Sequence, residues 1–243
     1  MNKLKTALVT LDNCTLKDAL DKTKDLALSE GSDFIVTPNI DHLTRLVVSK
    51  EAEVLQPIYD NASLNLCDSR ILEKILKLKG HTVKEVIPGS TLTQKLFDDV
   101  LTQDSRVLIV GGNDDVISRL RTKYNTLQLQ HYNPPMGFIN SPKEVEKTLS
   151  TIKKSNAQYV FLAVGSPRQE ILAKLIKDKD LINGVALCIG ASILFLVGEE
   201  KRAPKILQIL HLEWGYRMMQ DPRRLVKRYF DNLVKLPKLY AKL

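Results

Sequence analysis

Four short runs of consecutive apolar, largely β-branched residues punctuate the chain: Asp33-Phe34-Ile35-Val36-Thr37, Arg106-Val107-Leu108-Ile109-Val110, Tyr159-Val160-Phe161-Leu162-Ala163-Val164 and Gly184-Val185-Ala186-Leu187-Cys188-Ile189. A strand that is apolar at successive positions, rather than at alternate ones, is covered on both faces. Each run ends in a turn signal: Pro38-Asn39, Gly111-Gly112-Asn113, Gly165-Ser166-Pro167 and Gly190-Ala191-Ser192. Between them apolar residues recur at helical spacing near 16–30, 41–60, 69–79, 91–102, 114–124, 142–155 and 168–178. This alternation predicts an α/β fold, a mainly parallel sheet with helices on both faces. Asn65-Leu66-Cys67 and Gln128-Leu129-Gln130-His131-Tyr132 read as weaker additional strands.

Ligands of such sheets bind beyond the carboxyl ends of the strands. That topology alone gathers Thr37, Asn39, Asp68, Gly111, Gly112, Gly165 and Gln169 at one edge, without choosing a reaction. Three of these stretches have a plain structural reading as well. Gly111-Gly112-Asn113 opens a helix whose free amides would suit a phosphate, yet Asp114 and Asp115 oppose one, and neither GxGxxG nor a P-loop is present. Gly165-Ser166-Pro167-Arg168-Gln169-Glu170 is either a capped helix start with Glu170 offsetting the dipole, or a turn in which Arg168 and Gln169 hold a nucleotide or sugar. Asp68 is either the N-cap of the helix near 69–79 or a general base.

Charge changes the picture at the C-terminus. Eleven of the 36 basic residues but only three of the 28 acidic ones lie in 201–243, an excess equal to the chain's whole net charge of +8. Asp221 and Pro222 suit the start of a helix running to about Val234. On it Leu225, Val226, Tyr229, Phe230, Leu233 and Val234 form one apolar stripe, with Arg223, Arg224, Lys227 and Arg228 towards the other side. That is the pattern of an interfacial helix on an anionic membrane surface. A solvated, salt-bridged face is the plainer alternative. The sign of the charge also suits nucleic acid, but no helix-turn-helix, RRM or zinc pattern accompanies it, and no nucleic-acid partner is expected.

Other classes are excluded. Cys14, Cys67 and Cys188 are odd in number and far apart, which argues against a disulfide scaffold and for a reducing compartment. The four histidines show neither HxxxH nor HExxH spacing, and GxSxG is missing. The uncharged run from Gly184 to Gly198, interrupted by Gly190, falls short of the roughly 20 apolar residues of a membrane span and reads as a buried strand and a turn. The first residues lack the apolar core of a signal peptide.

Several motifs together carry a resemblance. They are Thr37-Pro38-Asn39 with His42; Asp68; Pro88-Gly89-Ser90; Gly111-Gly112; Gly165-Ser166-Pro167-Arg168-Gln169-Glu170; and Phe195-Leu196-Val197-Gly198 leading to Arg202-Ala203-Pro204. The tail adds Leu212-Glu213-Trp214-Gly215-Tyr216-Arg217, Pro222-Arg223-Arg224-Leu225 and Arg228-Tyr229. In order and spacing, from about residue 5 to 235, the chain resembles the WecG/TagA/CpsF family of bacterial glycosyltransferases (glycosyltransferase family 26). The resemblance implies a Rossmann-like core over 1–198 and an appendage over 199–243 that completes the active site and contacts the membrane. It implies inverting transfer of a sugar from a UDP-sugar to a polyprenyl-diphosphate-linked sugar on the cytoplasmic membrane face, for capsule, exopolysaccharide or a related cell-surface glycan. No metal and no cofactor beyond the donor are expected, and homo-oligomerisation is left open. Asp68 takes the place of the catalytic base, with Thr37 beside it. Thr37, Asn39 and Gln169 belong to the donor-sugar pocket, Gly111, Gly112 and Gly165 to the substrate-binding edge, and Arg217, Arg224 and Arg228 to the diphosphate.

The chain departs from the family pattern at four places. Cys67-Asp68-Ser69 replaces Pro-Asp-Gly, Val86 stands where an arginine is common, and Thr91 and Leu194 stand where acids are common. These departures suggest a branch with a different donor. Arg70, two residues from Asp68, is the expected substitute for the missing arginine. Two rival readings stay open: another Rossmann-type sugar-nucleotide enzyme, or a non-catalytic basic adaptor working through 201–243.

Overall fold

The computed structural model describes residues 2–48, 51–200, 204, 213–220 and 222–243. Six parallel strands form the central sheet, in the order β4-β3-β8-β7-β5-β6. They are β3 (Ser32–Val36), β4 (Leu64–Asn65), β5 (Val107–Val110), β6 (Leu129–Tyr132), β7 (Tyr159–Leu162) and β8 (Gly184–Cys188). Their side chains alternate between two apolar layers. Phe34, Val36, Leu108, Val110, Val160, Leu162, Ala186 and Cys188 face one, while Ile35, Val107, Ile109, Tyr159, Phe161, Val185 and Leu187 face the other. Period two is thus preserved in strands whose composition conceals it, because both faces are dry.

The first layer is completed by α2 (Ile40–Val48), α3 (Ala52–Asn61), α4 (Arg70–Leu78), α7 (Pro142–Ser155) and α8 (Arg168–Asp178). The second is completed by α1 (Leu16–Ala27), α5 (Gly89–Lys95), α6 (Asp114–Lys123) and α9 (Ser192–Leu196). Caps explain several starts: Thr15 closes a capping box with Asp18 on α1, Asn113 accepts from Val116 N–H on α6, and Ser141 accepts from Glu144 N–H ahead of Pro142 on α7.

Four features depart from, or were absent from, the sequence expectations. An antiparallel hairpin, β1 (Asn2–Lys5) with β2 (Thr10–Asn13), precedes the sheet and is tied to it by Asp12, whose carboxylate accepts from Asn65 N–H. Its lysines and asparagines hid it from a search for apolar runs. The stretch 41–60 is two helices rather than one, since successive stripes facing one core share a period. The Gly184–Gly198 run holds the expected strand and turn and then a short helix, α9, that was not expected. The tail helix does not stop at Val234.

After α10 (Glu213–Gln220), that last helix, α11, runs over Pro222–Lys242 with Pro237 inside it. Asn232 bonds Thr44 and Asp41 near the start of α2, at the carboxyl edge of the sheet. Lys79, just past the end of α4 at the opposite edge, sits 4.5 Å over the ring of Tyr240. Leu239 and Leu243 lie in the first apolar layer. So α11 descends beside α2, and its ten residues before Asn232 extend roughly 15 Å beyond that anchor, on the side of the strand ends.

All three thiols are free and buried. Burial pushes Cys14 up to about 11 and Cys67 up to about 12, and raises Cys188 as well, against an ordinary value of 9.0. Above the ordinary value an unfolded chain releases these protons while the folded one keeps them. Stability is therefore full below about pH 9 and falls as pH rises through the folded values. The urea midpoint is expected to be lower at about pH 10.5 than at about pH 8, and Cys67→Ala is expected to flatten that slope.

Candidate functional site

The strand order sets the order of the turns along the carboxyl edge. Asp68 follows β4, then come Thr37–Asn39 after β3, Gly190 after β8, Gly165–Pro167 after β7 and Gly111–Asn113 after β5. Four strand spacings separate the first from the last, roughly 19 Å. The expected residues therefore form a line rather than a cluster, suited to an extended ligand.

At one end the backbone is stitched tightly. Leu66 N–H donates to Val36 O (3.0 Å), Asp68 N–H to Pro38 O (3.2 Å) and Ile87 N–H to Cys67 O (2.8 Å). These bonds bring Asp68, Thr37 and the Pro88-Gly89-Ser90 turn together. Gly89 has no room for a side chain, because an added Cβ would lie 2.7 Å from Thr37 Oγ1. The cap of α4 is Ser69, whose side chain accepts from Leu72 N–H. That removes the structural reading of Asp68 as the N-cap. Arg70 opens α4 with an exposed side chain.

Asn39 serves α2 directly: its Oδ1 accepts from Asp41 N–H (3.0 Å) and His42 N–H (3.3 Å). Its backbone N–H donates to His42 Nδ1 at 3.2 Å, which leaves the ring proton on Nε2, 3.9 Å from Glu170 Oε1. Gln169 is 3 % exposed and committed at both ends of its amide. Its Oε1 accepts from Gly190 N–H (2.8 Å) and its Nε2 donates to Glu170 Oε1 (3.0 Å). The side chain expected in a sugar pocket is thus a strut joining the β8 turn to the start of α8. Glu170 is buried too, and its Oε2 has no hydrogen-bond partner among the described residues.

Glycine is required at the far end. Gly111 (φ +99°) has its N–H on Tyr132 O, and an added Cβ would meet the Ala163 backbone at 2.8 Å. Gly112 (φ +80°) has the same need against Ile193. His131 Nε2 lies 3.1 and 3.2 Å from the carbonyls of Gly111 and Gly112, so its N–H holds both. The sequence shows His131 only as one of four scattered histidines, since its partners lie 19 and 20 residues away. Arg168 spreads over Gly165 (φ +75°), where an added Cβ would lie 3.0 Å from Nη2. Arg45 joins Asp41 (2.6 Å) to Ser166 Oγ (3.1 Å). It was also missed, although Asp41 and Arg45 stand four apart on one helix, a legible pairing.

The side chains of Arg217, Arg224 and Arg228 lie outside the described residues, as do Arg202, Ala203 and Asp221. Positions 217, 224 and 228 are in α10 and α11. Among the described residues no helix is long and apolar enough to cross a membrane.

Asp68, the glycine turns and the start of α11 thus stand at the carboxyl edge of a parallel α/β sheet, where such folds bind their ligands. Comparison with protein families agrees over nearly all of its length: the chain matches the model of the glycosyl transferase WecG/TagA/CpsF family over residues 5–243, and it belongs to that family.

Proposed function

We propose that this glycosyltransferase is an inverting, metal-independent enzyme that moves a sugar from a UDP-sugar to a polyprenyl-diphosphate-linked sugar at the cytoplasmic face of a membrane, in the synthesis of a cell-surface glycan. The observation that carries the reading is the position of Asp68: at a strand end, stitched to Thr37–Asn39, with its capping duty taken by Ser69. Asp68 accepts the proton of the acceptor hydroxyl as that oxygen bonds to the anomeric carbon. The bond from that carbon to the phosphate oxygen breaks on the opposite face, and its electron pair leaves with UDP. Negative charge then grows on the diphosphate. Arginine forks match its oxygens, and Arg217, Arg224 and Arg228 are assigned to it. Thr37 and Asn39 flank the sugar. The test is release of UDP from a UDP-sugar, dependent on a lipid-diphosphate-sugar acceptor. No release with any hexose or N-acetylhexosamine donor would refute the reading.

Docking at a membrane is supported by the outward face of α11. Val226, Phe230, Leu233 and Val234 are exposed there, the last three by more than 60 %, with Lys227 and Lys238 exposed beside them. The stripe read from the sequence is in fact divided, since Tyr229 is half-buried on the inner side. An apolar face flanked by cations suits an anionic bilayer surface. Phe230→Ser/Leu233→Ser is expected to abolish co-flotation with phosphatidylglycerol vesicles. The melting temperature should stay unchanged, because neither side chain is in the core.

A further inference from the structure

Asn232 is 9 % exposed, and on its helix it lines up with Leu236, Leu239 and Leu243, the side that meets the body of the protein. A carboxamide in an apolar seam is costly unless both of its ends are bonded. Here they are. Thr44 Oγ1 donates to Asn232 Oδ1 at 3.0 Å, and Asn232 Nδ2 donates to Asp41 Oδ1 at 3.4 Å. The other oxygen of Asp41 accepts from Arg45 Nη2 at 2.6 Å, and Arg45 Nη1 donates to Ser166 Oγ at 3.1 Å. Three side chains therefore lead from α11 to the turn that opens α8, where Gln169 and Glu170 begin.

Leucines alone would set the register of α11 weakly. A slide of one turn, about 5.4 Å, exchanges one leucine contact for another, but strips Asn232 from Thr44 and Asp41. Positions 228 and 224 lie one and two turns before Asn232, so a slide carries them the same distance toward or away from the strand ends. We propose that Asn232 is a positioning residue. It fixes the axial register of α11 on α2, and through Asp41 and Arg45 it couples that register to the Ser166 turn. Its effect on turnover rests on the transfer reaction proposed above; the coupling itself does not.

Three full-length proteins test this: Asn232→Leu, Asn232→Asp, and Asp41→Asn/Asn232→Asp. Leucine continues the apolar stripe, so the melting temperature and the hydrogen-exchange protection of α11 should match wild type. Exchange in the 165–172 segment should nevertheless quicken several-fold, and kcat should fall at least about tenfold with donor KM little changed. Asn232→Asp sets a second carboxylate against Asp41 and should lose as much. The exchanged pair restores every bond in the seam: the amide placed at position 41 would donate to the carboxylate placed at 232 and accept from Arg45, and Thr44 would donate as before. It should recover most of kcat and of the 165–172 protection. Wild-type exchange at 165–172 in Asn232→Leu would overturn the coupling. So would a loss that merely tracks unfolding of α11, or an exchanged pair no better than Asn232→Asp. Should wild type transfer no sugar, the reaction assignment fails while the exchange measurements still decide the coupling.

Discussion

Asp68→Asn is expected to lower sugar transfer by about 10²–10⁴-fold, the usual contribution of a positioned general base. The amide keeps the shape and cannot take a proton. The cap of α4 belongs to Ser69, so the helix does not depend on the exchanged group, and the melting temperature should change little. A base must be ionised to act, so wild-type kcat/KM should rise with pH across an acidic limb, and in Asp68→Asn that limb should vanish. Asp68→Glu retains the chemistry but displaces it by a methylene, and should fall between the two. Full transfer in Asp68→Asn would remove this carboxylate from the reaction. The measurement is UDP release with donor and acceptor varied from well below KM to saturation, repeated across pH.

The second large effect is expected in the tail. Arg217→Ala, Arg224→Ala and Arg228→Ala should each lower kcat by about 10²–10³-fold if they meet charge that grows on the departing diphosphate, by analogy with loss of one oxyanion donor. Lysine replacements keep the charge but lose the two-pronged geometry, and should recover only part. The double and triple replacements should lose less than the product of the singles, as groups acting on one leaving group do. Deleting 201–243 is the cruder experiment. It would strip Leu239 and Leu243 from the main apolar layer and so mix loss of catalysis with loss of fold. Point replacements in α10 and the first turns of α11 leave that anchor in place. Normal kcat in all three would leave the basic tail as a surface anchor alone.

The fold was largely legible because each run declares its own environment. Val107-Leu108-Ile109-Val110 has no polar position, so it is covered on both sides, and a helix must follow on each. The helices α7 and α8 begin and end where Ser141-Pro142 and Pro167 with the amphipathic period place them. The edge hairpin was not legible: Asn2-Lys3-Leu4-Lys5 makes sense only once Lys3 is seen paired with the buried Asp12 at 2.6 Å. At the site, the positions of the motif residues on the sheet edge were legible, but the contacts of their side chains were not. Gln169 is an acceptable sugar ligand by type, and only its bonds to Gly190 N–H and Glu170 show it holding two turns together. Asp68 and Ser69 are both good caps, and the geometry of one turn chose the serine.

The sequence by itself determined the parallel α/β architecture, the edge at which the motif residues gather, the family and the placement of the net charge in the tail. These follow from periodicity, turn chemistry and composition, which are local. Only the tertiary structure decided that α11 is anchored by Asn232, Leu239 and Leu243 while Val226, Phe230, Leu233 and Val234 stay outside. Before folding, those side chains share one helical pattern. They are sorted by contacts with α2 nearly two hundred residues earlier, and no local pattern carries that information.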